Sequence, residues 1–351
     1  PKRHMVFPRP TNRPLLTYAL LIANATMFAL ATLMGGSENP QVLLKFGAQF
    51  GPLIAAGEYW RLFTAMFMHS GVMHIALNGF GLLIFGSMVE QSFGHVRFFI
   101  IYILAGLAGG VSSYIFNAVS IGVGASGAIF GVIGALAAYF VVQRKTFGQA
   151  ARNNLAGIGL LVAINIAIGL STPGIDNWAH MGGLIAGFFL GLVFSPSYHL
   201  SRSVFGYSIL KNTPASLIIR WWVVPLIALI LAAGISLANV RWMENPLTKM
   251  ARAERLYHQG SVHAAYEELS PVVALNLRIR AAHLLMGKIY IQQGDYLNAR
   301  NEFGSAVRYS RGETRQEAAA LLVRVRREHS PVSYTHLRAH ETREDRVWRR
   351  G

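Results

Sequence analysis

Three apolar stretches of this chain contain side chains that are costly to bury in hydrocarbon. One opens with His69, His74 and Asn78, a second with Gly124-Ala125-Ser126-Gly127, and a third with Trp178-Ala179-His180-Met181-Gly182-Gly183. Ionisable or hydrogen-bonding groups inside a membrane-length segment are functional candidates by default, because a bilayer penalises them unless they are used. A serine, a histidine and an amide-bearing face are the parts of acyl transfer: a nucleophile, a general base and donors for an oxyanion. His74 and Asn78 stand at i, i+4, so a helix places them on one face. His69 lies five residues from His74, the wrong spacing for one face, and no metal site or cofactor is expected. The chain has no cysteine, which excludes disulfides, thiolate nucleophiles and Cys-ligated metals.

Positioning these residues requires a membrane bundle. The 351 residues are 53% hydrophobic and 14% charged, with a mean hydropathy of +0.37, far from a soluble composition. Apolar runs of about 17–25 residues predict seven spans at 15–34, 71–90, 98–117, 123–142, 155–171, 178–195 and 218–240. The first is long for a signal-peptide core of about 7–15 residues. The formal charge of +16 would point to nucleic acid in a soluble chain; here it reads as orientation, and no nucleic-acid partner is expected. Lys2, Arg3, Arg9 and Arg13 precede the first span. Arg97, then Arg144, Lys145 and Arg152, then Arg202 and Lys211, fall in loops on that same side, whereas the opposite loops carry Lys45 beside Glu38, Glu58 and Asp176. The positive-inside rule therefore makes the N-terminal segment 1–14 and the linker 196–217 cytoplasmic, and puts everything after residue 240 outside, as expected for a bacterial cell membrane. The second, fourth and sixth spans all start at the outer face. Ser126 and His180 then share a depth on the order of 3–5 Å below their helix starts.

A hydrogen bond between them needs helices with little side-chain thickness. Gly124, Gly127, Gly131, Gly134 and Ala138 form a small-residue stripe on the fourth span, and Gly183, Gly187 and Gly191 recur on the sixth. Such stripes are also ordinary helix-packing surfaces in membranes. Taken together, Gly-x-Ser-Gly at 124–127, Ala-His-x-x-Gly at 179–183 followed by Gly187, the His74–Asn78 pair and Trp60-Arg61 before the second span resemble the rhomboid intramembrane serine proteases over roughly residues 15–195. The seventh span with a following soluble segment resembles the six-plus-one bacterial members. The resemblance implies a six-helix catalytic core at 15–195 in which Ser126 is the nucleophile and His180 the base and then the acid, with no third acid. It implies an oxyanion site from His74, Asn78 and the backbone N–H of Ser126, and an outer loop folded with the help of Trp60 and Arg61. Asp176, four residues before His180, is a weaker candidate as an orienting partner. Glu90, at the inner end of the second span, is expected to be structural, with Arg97 as a candidate partner. The chain departs from the family at Phe130, where a tyrosine is usual: stacking on His180 is retained, the phenolic hydroxyl is not.

From Asn245 the composition turns polar and helical. Gly294, Tyr296, Ala299, Phe303 and Ala306 match Gly260, Val262, Ala265, Leu269 and Val272 at an offset of 34 residues, the period of tetratricopeptide repeats, so residues 246–327 are expected to form such repeats and to offer a protein partner a docking surface. A generic helical hairpin is the plainer alternative. Residues 331–351, containing His336 and His340, read as a translated adapter without function, and a chain starting at Pro1 reads as lacking its first residues. The expected fold is thus all-α, a polytopic bundle of seven transmembrane helices with a small soluble helical segment. The expected activity is a serine endopeptidase acting on transmembrane protein substrates in the lipid bilayer. Three rival readings fit the sequence less well. An inactive rhomboid-like binding protein should lack Ser126 or His180. A transporter should show inverted repeats and broken helices, and the sequence shows neither. A membrane-anchored scaffold leaves the intramembrane polar set unexplained.

Overall fold

The computed structural model describes residue 11 and residues 13–202, 208–213, 220–275 and 279–328, with the backbone alone at 197–202 and 208–213. Lys2, Arg3 and Arg9, and the tail at 331–351 with His336 and His340, lie outside the described residues. The chain divides into two compact units, the first ending at Trp242 and the second beginning at Met243.

The first unit is a bundle of apolar helices. Helix α1 (Leu15–Leu33) starts after Pro14 and ends before Gly35 and Gly36, whose φ values of +127° and +106° suit only glycine. The following loop folds into three short helices, α2 (Pro40–Lys45), α3 (Gly51–Ala55) and α4 (Arg61–Thr64). The second span is α5 (Val72–Gly81), a π-helical turn at Leu82–Gly86, and α6 (Ser87–Phe93). Gly94, at φ +85°, turns the chain directly into α7 (His95–Phe116). Then come α8 (Ser126–Val142), the short α9 (Arg144–Phe147), α10 (Gln149–Ser171) and α11 (Asn177–Phe194). The segment expected as a plain linker contains an antiparallel hairpin, β1 (Ser197–Arg202) paired with β2 (Ser208–Thr213). Helix α12 (Val223–Trp242) is the last apolar element.

Among the described residues, six helices are long and apolar enough to cross a membrane. The expected fourth span is a shorter case. Helix α8 has 17 residues, about 25 Å at 1.5 Å per residue, and starts at Ser126 rather than 123. The chain reaches it through non-helical residues 121–125. That backbone is tolerated because it is tied to protein: Gln49 and Gly122 exchange hydrogen bonds of 2.9 and 2.8 Å, and Gly124 N–H donates to the Ala65 carbonyl at 2.9 Å. Helix α8 is also the core of the unit, with Val132, Ala135 and Ala138 fully buried and α7 and α11 packed against it.

Glu90 is fully buried and accepts hydrogen bonds from the backbone N–H groups of Leu16 and Thr17 at 2.9 and 2.8 Å and from the Thr17 hydroxyl at 2.6 Å. His95 Nδ1 lies 2.5 Å from Oε1, the oxygen that also accepts from Leu16. The observed partners of this carboxylate are thus the first turn of α1 and His95. A carboxylate at a helix N-terminus satisfies orphan N–H groups and the positive end of the helix dipole.

In the second unit, α13 (Pro246–His258) pairs with α14 (Val262–Ala274), and α15 (Arg280–Gln292) with α16 (Tyr296–Tyr309), before a final helix α17 (Gly312–Glu328). The two hairpins recur at 34 residues, from Pro246 to Arg280 and from Val262 to Tyr296. Gly260 and Gly294 make the equivalent turns at φ +80° and +77°. Ala265, Leu269 and Val272 are buried in one pair, and Ala299, Phe303 and Ala306 in the other.

Replacing Glu90 with alanine leaves the α1 donors without a partner in an apolar setting, a cost on the order of 3 kcal/mol. Thermal unfolding in detergent should show a clearly lowered midpoint for Glu90→Ala. An unchanged midpoint would mean that α1 is held without this carboxylate.

Candidate active site

Ser126 is the first residue of α8, and His180 lies in the first turn of α11. His180 Nε2 is 2.9 Å from Ser126 Oγ, a full hydrogen bond. Contact between helix backbones makes this possible. A Cβ at Gly183 would collide with the Gly127 carbonyl, and one at Gly187 with the Gly131 carbonyl. Glycine at these positions lets α11 lie directly on α8, and His180, three residues before Gly183, is carried onto the end of α8.

The imidazole is held by its ring. Phe130, one turn below Ser126, stacks on His180 with centroids 4.3 Å apart and planes 3° from parallel. His180 Nδ1 is buried without a hydrogen-bond partner among the described residues. Asp176 does not reach it. Its Oδ1 accepts from the Ala179 N–H at 3.1 Å as the N-cap of α11, and its Oδ2 accepts from the Ser113 hydroxyl of α7. Asp176 is therefore a cap that also fastens α11 to α7, not a third member of the pair. That use follows from its place one residue before the helix, a signal present in the sequence.

His74 comes to the same place from α5. A Cβ at Gly124 would lie 2.7 Å from His74 Nε2 and 3.8 Å from Ser126 Oγ, so the missing side chain leaves room for the imidazole beside the serine. Gly124 also has φ +122°, which a side chain resists. His74 Nδ1 faces the Ser70 N–H at 3.4 Å. With Nδ1 accepting, the neutral ring carries its proton on Nε2, toward Gly124. Asn78 is buried. Its Nδ2 donates to the His74 carbonyl at 2.9 Å and its Oδ1 has no partner among the described residues. The amide nitrogen has a second hydrogen. The backbone N–H of Ser126, at the N-terminus of α8, has no partner within the helix. His69 is fully buried, its ring edge-on to His74 at 5.2 Å, with Nε2 3.5 Å from the Ala125 nitrogen.

These groups open on a cleft of about 940 Å³ lined by Met73, His74 and Asn78 from α5, Ser126, and Leu161 and Asn165 from α10. The lining is largely apolar apart from these groups, and includes the exposed Met73, Leu77 and Phe80 of α5.

Trp60 and Arg61 act away from the chemistry. Arg61 is buried, lies 4.6 Å from the Trp60 ring centre, and donates to Glu58 at 2.6 Å and to the Leu44 and Ala48 carbonyls at 2.6 and 3.0 Å. One guanidinium thus closes the loop between α1 and α5. Gln49 ties the loop to the segment before α8 by its pairing with Gly122, and to α7 through Nε2, which donates to the Gly110 carbonyl at 2.9 Å.

The fold and site together define an integral membrane protein of the helical-bundle type, with a serine and a histidine joined inside the bundle at the mouth of an apolar cleft. Residues 56–197 match the family described as Rhomboid domain. The chain is 40% identical over 177 residues to Rhomboid protease GluP of Bacillus subtilis (strain 168), covering 50% of the chain and 34% of that protein. It is 33% identical over 229 residues to RHOMBOID-like protein 1 of Arabidopsis thaliana, covering 57% of each. It is also 40% identical over 163 residues to RHOMBOID-like protein 6, mitochondrial, of the same plant, covering 44% and 52%. Over residues 56–197 the chain carries a domain similar to those of the rhomboid family. It spans from about a third to just under three fifths of the length of these relatives.

Arg61→Ala should release the α1–α5 loop without unfolding the bundle. Hydrogen exchange of residues 44–61 should speed up by at least tenfold while exchange in α7 and α8 stays slow. Equal protection in the variant would show that the loop does not depend on the guanidinium.

Proposed function

We propose that the protein is an intramembrane serine endopeptidase that cleaves membrane proteins in or near a transmembrane segment. The observation that carries this reading is the Ser126–His180 hydrogen bond of 2.9 Å beneath a cleft bounded by lipid-facing helices. Ser126 Oγ attacks the scissile carbonyl carbon as His180 Nε2 takes its proton. The carbonyl oxygen becomes an oxyanion, with the Ser126 N–H, His74 Nε2–H and the second Asn78 amide hydrogen as its donors. His180 then protonates the leaving amine, whose departure leaves an ester on Ser126. Water, deprotonated by His180, hydrolyses that ester and restores the serine. The stacked Phe130 keeps the imidazole aligned through both proton transfers, in place of an orienting acid.

The substrate must present an extended carbonyl at this depth. A helix buries its carbonyls in its own hydrogen bonds, and unwinding it in lipid leaves them unsatisfied. Segments with helix-breaking residues near their outer end, able to enter the cleft, are therefore the substrates this site suits. In a bundle of purified protein, Ser126→Ala and His180→Ala should each abolish cleavage of a reporter transmembrane substrate. His74→Ala and Asn78→Ala should each lower kcat by about 10²–10³ with a smaller change in KM. Cleavage persisting in purified Ser126→Ala would overturn the mechanism. A raised KM with intact kcat would make His74 and Asn78 substrate contacts.

The orientation proposed is a cytoplasmic N-terminus with the cleft opening outward, supported by exposed Arg13, Arg144, Lys145 and Arg152 at the end opposite the cleft. The chain then leaves α12 on the outer side, and the 34-residue helix pairs beyond it are read as tetratricopeptide-type repeats that dock a protein partner or substrate. Protease added to intact spheroplasts should remove residues 243 onward. Full protection until lysis would reverse the assigned topology.

A further inference from the structure

Helix α12 lies outside the matched domain at 56–197, and as an apolar run it reads as a simple anchor for the second unit. Its contacts are of another kind. Ala238 is 1% exposed and shares one buried cluster with Ile54 and Ala55 of α3, Leu62 of α4, and Val111 and Tyr114 of α7. Gly234 sits against Val111, where a Cβ would come within 2.9 Å of the valine side chain. Next to this packing stands an amide, Asn239, near the C-terminal end of α12. Its Oδ1 accepts from the Tyr114 hydroxyl of α7 at 2.6 Å, and its Nδ2 donates to the Tyr59 hydroxyl at 2.9 Å. An amide near the end of a lipid-embedded helix is retained at little cost when both ends are bonded, and such bonds fix how helices are seated.

Tyr59 precedes Trp60 and Arg61. The path from it to the chemistry is short and made of observed bonds. Arg61 holds the Ala48 carbonyl, Gln49 pairs with Gly122, and Gly122 lies two residues before Gly124, against which His74 Nε2 rests. Loop and strut together set the height of the 121–125 segment, and hence of Gly124 beside the oxyanion donors.

We propose that Asn239 is a positioning residue for catalysis, clamping Tyr59 and Tyr114 so that α12 is a working strut of the active centre and not only a tether. This inference rests on the endopeptidase reading for its kinetic consequence, but its structural consequence is independent of it. The bond's net worth corresponds to a change of roughly threefold to tenfold in an equilibrium. Without the clamp the loop samples open positions, so the kcat of reporter cleavage should fall by about that factor.

The test uses the full chain in detergent, as wild type, Asn239→Ala, Tyr59→Phe and the double variant, alongside Ser126→Ala. Cleavage kinetics, hydrogen exchange and the unfolding midpoint are measured on each. The expected result is a lowered kcat in both single variants, no further loss in the double, and faster exchange confined to residues 44–61 and 118–124. Wild-type kinetics and exchange in Asn239→Ala would overturn the proposal. So would a loss of activity accompanied by faster exchange throughout the bundle, which would make the residue generally structural, and so would additive losses in the double variant. If wild type itself fails to cleave, the endopeptidase reading falls, while the local exchange result still decides whether Asn239 holds the loop.

Discussion

Everything specific to this site depends on two helices touching through their backbones. Interiors of proteins are close-packed, and two helices are normally held 8–10 Å apart by side chains. On α8 and α11 those side chains are missing at the contact, so Gly183 meets the Gly127 carbonyl and Gly187 the Gly131 carbonyl. In a bilayer no hydrophobic effect drives the helices together, and close packing of small surfaces has to supply the association. The same contact brings a serine and a histidine from residues 54 positions apart to 2.9 Å. Geometry and stability are therefore one property here, and a methyl group at the contact would damage both.

A second constraint is the handling of polar groups in an apolar medium. Several in the bundle have well-defined partners. Glu90 satisfies the start of α1, Arg61 closes the outer loop on two carbonyls, and Asp176 caps α11 while binding Ser113. Arg220 does the corresponding work at the other end of α11, donating to the Val193 carbonyl and, at 3.2 Å, to that of Ser195. At the site, His180 Nδ1, Asn78 Oδ1 and His69 Nδ1 have no hydrogen-bond partner among the described residues.

The parts of the fold legible in the sequence are those set by local pattern. Hydropathy located the apolar helices to within a few residues, although α10 begins at Gln149 and not at 155. Ser126, His180 and the glycine stripes stood out because polar or missing side chains are rare in such runs. The 34-residue helix pairing was visible because glycine and small or apolar residues recur at that offset. What could not be read were partnerships between distant residues. Glu90 was matched with nearby Arg97 as a candidate, yet its seen donors include Leu16 and Thr17, more than seventy positions away. Asn239 passed as part of an apolar helix, since nothing in spacing reveals that Tyr59, 180 positions earlier, lies beside it. The start of α8 was placed three residues early because Val123-Gly124-Ala125 is as apolar as a helix, while the positive φ of Gly124 ends that possibility. The hairpin at 197–213 has no turn signal strong enough to distinguish it from a linker.

The central claim is that this one serine is a nucleophile activated by this one histidine. The most direct measurement is to treat the purified chain with a fluorophosphonate and locate the adduct by peptide mass spectrometry. The expected result is a single phosphonylated residue, Ser126, formed at a rate that falls at least a hundredfold in His180→Ala and to nothing in Ser126→Ala. Absence of any adduct on folded wild-type protein, or modification of a different serine at the same rate in both variants, would contradict it.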